Sequence, residues 1–175
     1  MFVHYTSAMQ NFIKYLIAIC CMLPDQVAAQ YKLTVYDINA GPKGSSPRGF
    51  VAFQNQLYFI ATDSINHECI FRTDGNAFPE VVYKYTKTPS SSGRQASAPF
   101  VVADNILYFI GDDGLHGREL YSYDGQNPAK MLADICPGTA SSGVSYMTQY
   151  KGVLYFRAFT HPDSNYCIWS YDAKY

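Results

Sequence analysis

Short apolar runs alternate with polar turns along most of the chain, and each run is too brief for a helix. Residues 106–125 show the pattern: the run ILYFIG is followed by the polar stretch DDGLHG, the run RELYSY and then Asp124-Gly125. Runs of this length that are rich in aromatic and β-branched residues are typical of β-strands. Beyond the first 29 residues we find no helical period, so we expect an all-β fold.

The same pattern occurs three times in the chain. Leu57-Tyr58-Phe59, Leu107-Tyr108-Phe109 and Leu154-Tyr155-Phe156 are copies of one tripeptide that begin 50 and 47 residues apart. Self-similarity at a fixed period of this size indicates a repeat architecture. We place the repeats at about residues 37–83, 84–132 and 133–175. Each contains an Asp turn after its third apolar run, at Asp74-Gly75, Asp124-Gly125 and Asp172-Ala173.

Each repeat is predicted to hold four antiparallel strands, the last repeat lacking its fourth. In the first repeat the strands are Gly49–Phe53, Gln56–Ala61, Glu68–Thr73 and Glu80–Tyr85. The two-residue turns between first and second strands suit type I′ hairpins, because Asn and Gly tolerate positive φ. Four short strands per repeat are typical of a β-propeller blade. The predicted fold is therefore β-propeller-like, with three four-stranded blades forming a partial propeller. The turns are Gln54-Asn55, Asp104-Asn105 and Lys151-Gly152.

The two ends of the repeat series bear on assembly. Lys32–Tyr36 reads as a fourth strand from a preceding blade, and it would complete the last blade, which stops after its third strand. Three blades leave two open apolar faces. Either two chains close a six-bladed ring as a homodimer, or the chain is a fragment of a larger surface protein. The sequence favours the fragment.

Residues 1–29 have the pattern of a signal peptide. Lys14 precedes the apolar run Tyr15–Leu23, and Val27-Ala28-Ala29 resembles a cleavage site. We therefore predict cleavage before Gln30, a repeat domain over residues 30–175, a secreted or cell-surface location, and no membrane span after leader cleavage. A start at Met9, a short buried helix and a lipoprotein signal are the alternatives.

Charge and cysteine content exclude some classes of function. Lys and Arg number 13 against 14 Asp and Glu, so no basic excess indicates a nucleic-acid partner. Three cysteines follow the leader, and an odd number does not form a closed disulfide framework. Cys69, Cys136 and Cys167 are therefore expected to be small residues that fill space.

The polar loops between second and third strands should lie at the same end of the blades as the crossings between blades. Loops held by a rigid scaffold often carry binding residues. The crossings would add Ser45, Ser46, Arg94, Ser141 and Ser142. The candidate ligand-binding residues of the loops are Asp63, Asn66, His67, Asp112, Asp113, His116, Arg118, His161, Asp163 and Asn165.

These loop residues do not form a recognised catalytic or metal-binding motif. The three histidines stand at different distances from the aligned Asp, so we predict no metal site. No cofactor is expected either; Ca²⁺ at Asp112-Asp113-Gly114 is the alternative. The loop carboxylates would permit part of a secreted hydrolase or lyase that acts on polysaccharide. No nucleophile elbow or phosphate loop is present, and no catalytic residue is assigned.

The repeat resembles the ELWxxDGT-repeat family of exported bacterial proteins, which are also described as hyalin-like. The resemblance rests on Asp134-Ile135-Cys136-Pro137-Gly138, Leu107-Tyr108-Phe109, Asp113-Gly114 with Gly117, and Glu119-Leu120-Tyr121 through Asp124-Gly125. It implies a propeller-like fold, export and a surface or binding role. Cys69, Lys84 and Cys167 depart from the motif. We therefore expect a non-catalytic module that presents its loop end to a glycan or protein, or else a spacer with no ligand.

Overall fold

A computed structural model describes residues 33–86, 99–161 and 165–174 of the protein. By its internal contacts the chain divides into Met1–Val35 and Tyr36–Tyr175. All described strands belong to the second part. The predicted leader, Arg94 and Asp163 lie outside the described residues. No helix in the described part is long and apolar enough to cross a bilayer.

The described residues form three antiparallel sheets and contain no helix, which confirms the all-β prediction. Neighbours in each sheet are also neighbours in sequence, as in a simple meander. The first sheet holds β1 (Arg48–Phe53), β2 (Gln56–Thr62), β3 (Glu68–Thr73) and β4 (Glu80–Lys84). The second holds β5 (Phe100–Ala103), β6 (Ile106–Asp112), β7 (Arg118–Tyr123) and β8 (Lys130–Ala133). The third holds β9 (Ser145–Tyr150), β10 (Val153–Ala158) and β11 (Cys167–Tyr171).

The hairpin turns that open each sheet have the backbone geometry predicted for them. Gln54 and Asn55 have φ of 48° and 60°, and Lys151 and Gly152 have φ of 51° and 83°. Both central residues are left-handed, as a type I′ turn requires. The strand bounds of the first repeat also agree with the prediction to within one residue.

Side chains on the two faces of the second sheet enter different hydrophobic clusters. Leu107 and Phe109 of β6 pack toward the first sheet, whereas Tyr108 and Ile110 pack toward the third. Successive residues of a strand point to opposite faces, so a strand covered on both sides is apolar throughout. Within the described residues no cluster joins the first and third sheets, and the three sheets form an open series.

The fourth strand predicted at Lys32–Tyr36 is not found. Leu33–Tyr36, the described part of it, has no regular secondary structure, and Leu33 and Val35 are 95% and 90% exposed. A strand needs a neighbour to pair its N–H and C=O groups, and none of the described strands pairs with this segment. The Tyr36 hydroxyl instead donates a hydrogen bond to the Gly75 carbonyl at 2.9 Å.

The three described cysteines are unpaired, and two of them fit the predicted packing role. Cys69 and Cys136 are buried, and burial raises the pKa of Cys69 to about 11. The prediction was wrong for Cys167, which is exposed at the start of β11. No described strand covers the outer edge of β11, so this position lacks the neighbour that shields Cys69.

Candidate functional site

The loop that joins β2 to β3 is organised by the carboxylate of Asp63. Its Oδ1 accepts hydrogen bonds from the amides of His67 at 2.7 Å and Ile65 at 3.1 Å. Lys84 Nζ lies 3.6 Å from its Oδ2. Burial alone would raise the pKa of Asp63, but the two amide bonds and the Lys84 charge lower it below its usual range. Asp63 therefore serves to shape its own loop.

Asn66 and His67 are less constrained members of the same loop. Asn66 adopts a left-handed φ of 63°, and its side-chain carbonyl accepts a hydrogen bond from Lys43 Nζ at 3.3 Å. His67 Nδ1 stands 4.0 Å from Asp63 Oδ2, which is too long for a hydrogen bond. The Asn66–Lys43 contact ties this loop to the segment that enters the first sheet.

The loop that joins β6 to β7 holds the densest polar cluster among the predicted residues. Asp113 Oδ1 accepts the amides of Leu115 and His116 at 2.9 and 3.0 Å, and its Oδ2 lies 2.7 Å from His116 Nδ1. These hydrogen bonds from Leu115 and His116 lower the pKa of Asp113 well below its usual range. The same carboxylate raises the pKa of His116, so the pair favours its charged forms.

Asp112, beside this pair, belongs to the end of β6. It is 5% exposed, and its Oδ1 accepts the Gly114 amide at 2.7 Å. Its own amide donates to the Tyr83 hydroxyl, also at 2.7 Å. The ring of Tyr83 lies 5.4 Å from that of Tyr121. Burial is the main cause that raises the pKa of both tyrosines, and nearby acids add to it.

Tyr83 and Tyr121 were not predicted as members of a polar site. Their sequence signal is that of ordinary strand aromatics, since tyrosine is favoured in strands for packing alone. The hydroxyl contact with Asp112 depends on how the first sheet stacks on the second. A repeat pattern in one chain does not specify that contact.

Arg118 begins β7 and contacts the crossing that follows the first sheet. Its guanidinium lies 5.7 Å from the ring centre of Tyr85, a cation–π distance. Its amide donates to Ser141 Oγ at 3.1 Å, and its carbonyl accepts the Ser142 amide at 3.2 Å. Of the predicted crossing residues, Ser141 and Ser142 are therefore structural contacts of β7.

The loop that joins β10 to β11 differs from the other two. His161 is exposed, and Asn165 accepts the Cys167 thiol through its backbone carbonyl at 3.8 Å. Arg157 stacks close to Tyr166, 3.7 Å from its ring centre, on the outer side of the third sheet. The structure thus brings the predicted residues together within the first two loops, while in the third loop Asp163 lies outside the described residues.

Glu119 was not predicted as a functional residue, although it lies in the motif that identifies the repeat. It is fully buried on β7, where Oε2 accepts the Ile135 amide at 3.1 Å and Oε1 accepts the Ser142 amide at 3.0 Å. Burial raises its pKa, and the hydrogen bonds from Ser142 and Ile135 oppose that rise. Glu119 therefore fastens the crossing between the second and third sheets to β7.

Two shallow depressions lie at the opposite end of the sheets, beside the Asp turns. One has a volume of about 250 Å³ and the other about 170 Å³, both smaller than typical ligand sites. Their lining positions correspond at a separation of 50 residues, so they are one feature built twice. The Asp of each turn holds its own loop: Asp124 accepts the Gln126 and Asn127 amides at 2.9 and 2.8 Å. The linings include Gln56, Arg72, Asp74 and Glu80 in the first sheet, and Ile106, Ser122, Asp124 and Lys130 in the second.

The described residues contain no group of three or more His, Cys, Asp or Glu side chains placed to hold a metal ion. At Asp112-Asp113-Gly114, the alternative Ca²⁺ position, the Oδ1 atoms of both carboxylates accept hydrogen bonds from loop amides. What the loop end offers is a set of charged side chains on rigid turns. No protein-family model, curated protein or solved structure matches the chain.

Proposed function

We propose that the protein is an exported, non-catalytic β-propeller repeat module whose loop end binds a glycan or a protein ligand. The observation that supports it best is how the loop acids are used. Asp63 and Asp113 each accept two backbone amides of their own loops, so they hold the loops in one shape. A surface held in advance loses little entropy when it binds.

The same observation weighs against the alternative of a polysaccharide hydrolase or lyase. Glycoside hydrolysis requires a carboxylic acid that stays protonated near neutral pH, and such groups have raised pKa values. The pKa values of Asp63 and Asp113 are lowered. Among the described residues the acid with a raised pKa is Glu119, which is fully buried and accepts two backbone amides, so a substrate does not reach it.

The propeller architecture is part of the proposal. Three meandering sheets that stack through alternate faces, with β1 beside β5 and β5 beside β9, are what consecutive blades require. Secretion follows from the leader pattern of residues 1–29, and the surface role from the resemblance to exported repeat proteins. A fragment of a larger surface protein would use the same loop end.

The test is a glycan array together with a pull-down of surface proteins, both with a double variant, Asn66→Ala and His116→Ala. Both side chains are at the loop end and are not part of the core. The control is Asn127→Ala, at the opposite end of the second sheet. We expect one assay to give a signal that the double variant loses and the control keeps. Empty results in both assays with sharply melting protein would refute the binding role.

A further inference from the structure

The segment that enters the first sheet is built like the crossing that enters the third. Gly41, Ser46 and Gly49 have positive φ of 126°, 48° and 65°. The residues that follow them by 97 positions, Gly138, Gly143 and Tyr146, have φ of 101°, 65° and 53°. Few residues adopt this region, and a match at three spaced positions identifies one backbone path used twice.

A shared hydrogen bond fixes the same correspondence. The Ser45 carbonyl accepts the amide of Thr62 at 2.7 Å, and the Ser142 carbonyl accepts the amide of Phe159 at 2.9 Å. Ser45 and Ser142 are again 97 positions apart, as are Thr62 and Phe159. Both segments thus arrive at the second strand of the sheet that they enter in the same way.

The two segments differ in whether a glutamate of a neighbouring sheet accepts their backbone amides. In the crossing at residues 134–144, Glu119 of the preceding sheet accepts the amides of Ile135 and Ser142. The corresponding amides in the first segment belong to Ile38 and Ser45, and no acceptor for either lies among the described residues. Ile135 and Ser142 are buried at 8% and 0% exposure, whereas Ile38 and Ser45 are only partly buried.

Asn39 supplies a second, independent sign that the first segment is incomplete. Asn39 is only 5% exposed, yet its side-chain Nδ2 has no hydrogen-bond acceptor. A buried amide without a partner destabilises the folded state, and folded proteins rarely leave one. The residue at the same place in the later crossing is Cys136, whose side chain has no amide group that needs an acceptor.

We propose that Asp37–Ser46 is a docking cradle for a β-sheet of the same repeat type that has Gly-Xaa-Glu at the start of its third strand, with the glycine just before the strand as Gly117 is before β7. The glutamate would place its two oxygens on the amides of Ile38 and Ser45, as Glu119 does on Ile135 and Ser142. The glycine is required because the two backbones approach closely. A Cβ on Gly117 would lie 2.5 Å from the Ala140 carbonyl oxygen, and Lys43 stands at the place of Ala140.

The residues before the cradle extend the same correspondence. Leu33–Tyr36 stand 97 positions before β8, the fourth strand of the second sheet, and β8 pairs with β7. Leu33 and Val35 are almost fully exposed. By sequence position this segment therefore corresponds to a fourth strand.

The chain's own third sheet is close to the required partner but lacks both features. Cys167 pairs with Ala158 as Glu119 pairs with Gly111, so Cys167 occupies the position of the glutamate. Asn165, two residues earlier, occupies the position of the glycine. Both residues are exposed. Substitutions there can therefore create the partner surface without disturbing the core. The inference does not depend on the ligand-binding function proposed above.

The experiment is the self-association of the full chain carrying Asn165→Gly and Cys167→Glu, measured by sedimentation. We expect a dimerisation Kd about tenfold or more tighter than that of the unsubstituted chain. Ile38→Pro added to the double variant removes one amide and should reverse the gain, whereas Ile38→Ala keeps the amide and should reverse less of it. Cys167→Glu alone should give a smaller gain.

Three results would overturn the proposal. A folded double variant that associates no more than the unsubstituted chain would show that the cradle does not select Gly-Xaa-Glu. An unsubstituted chain that dimerises as tightly as the double variant would also show that the cradle does not select Gly-Xaa-Glu. A gain that Ile38→Pro leaves intact would place the new contact elsewhere. If the double variant does not melt cooperatively, Cys167→Glu alone with the same Ile38 substitutions decides between these outcomes.

Discussion

The first and second sheets place different residues at one strand position, and the difference separates what builds a sheet from what joins two sheets. Cys69 on β3 pairs with Ala61 across the ladder, as Glu119 on β7 pairs with Gly111. The Cys69 thiol stays within its own loop, near Asp63 Oδ2 and the His67 carbonyl at 3.8 and 3.7 Å. Glu119 instead binds two amides of the following crossing. Either residue is compatible with the strand pairing. The repeats therefore share their pairing within each sheet and differ in the side chain that contacts the following crossing.

The largest expected effect is a loss of stability at the interface between the first and second sheets. Phe109 packs against Tyr83, Phe100 and Tyr121, with ring centres 5.1, 6.4 and 5.8 Å away, and so joins two sheets. Phe109→Ala should destabilise the protein by about 4 kcal/mol, near the middle of the range for buried aromatics. Urea unfolding with an unchanged slope measures the loss.

The control for that substitution is Phe59→Ala, at the matching position of the first sheet. Phe59 stacks on Phe71 and on the exposed Phe50, both of its own sheet. We expect a loss of about 3 kcal/mol, at the low end of the same range. A greater loss at Phe59 than at Phe109 would contradict the view that the second sheet carries both interfaces.

The next effect tests the linkage itself. Glu119→Ala leaves the buried amide of Ile135 without an acceptor and leaves the Ser142 amide only the Arg118 carbonyl, so we expect a loss of about 3 kcal/mol. Cys69→Ala, its counterpart, removes one small buried group and should cost about 1 kcal/mol. Both values come from urea midpoints. Equal losses for the two alanine variants would mean that Glu119 contributes only volume. Glu119→Gln keeps one acceptor oxygen, so its loss should lie between those of Glu119→Ala and Cys69→Ala.

A smaller effect is expected at the residue opposite Glu119. A Cβ added to Gly111 would lie 2.5 Å from Cδ2 of the Tyr121 ring. Gly111→Ala should therefore cost about 2 kcal/mol through overpacking. The same ladder position in the other two sheets is Ala61 and Ala158. Ala61→Gly, measured by thermal melting alongside, should cost about 1 kcal/mol, and a neutral Gly111→Ala would show that the ring moves freely.

The smallest effect distinguishes the two loops by titration. His116 has a raised pKa because of Asp113, whereas the first loop has Asn66 at that position and cannot titrate there. The folded-state pKa of His116 lies above its ordinary 6.5, so its contribution to stability is present below that pH and is lost as the pH rises through the folded value. The pKa of Asp113 lies below its ordinary 3.8, so its contribution is lost only as the pH falls through its folded value.

An NMR titration of the histidine rings measures this difference. We expect the His116 resonances to titrate above pH 6.5, and Asp113→Asn to return them toward that value. Asp112→Asn is the control, because its Oδ1 contacts the Gly114 amide rather than the imidazole. A His116 pKa that does not change in Asp113→Asn would rule out the ion pair in solution.

The strand ladder could be predicted from sequence because it depends on local patterns. Apolar alternation and the Asn or Gly of each hairpin turn determine strands and turns within a few residues, and both predictions are confirmed. The fourth strand at Lys32–Tyr36 was wrong for the converse reason. A strand forms only with a neighbour, and a pattern in one segment does not show whether that neighbour is present.

The candidate site was less accessible to sequence reasoning. The loop residues were identified by type, but the pattern did not show that Asp63 and Asp113 are used to cap their own loops. Glu119 was visible as part of a motif, yet its two amide partners lie 16 and 23 residues later in the chain. The Tyr83–Asp112 contact joins two sheets. Contacts of this kind follow from stacking, which a repeat period alone does not specify.

The most direct test of the account compares hydrogen exchange at four backbone amides of the unsubstituted chain. The segments that enter the first and third sheets share one backbone path, and only the second of them is held by a glutamate, Glu119. The amides of Ile135 and Ser142 should be strongly protected, and those of Ile38 and Ser45 should exchange far faster, although Thr62 stays protected by the Ser45 carbonyl. Equal protection at all four amides, or fast exchange at Ile135 and Ser142, would contradict it.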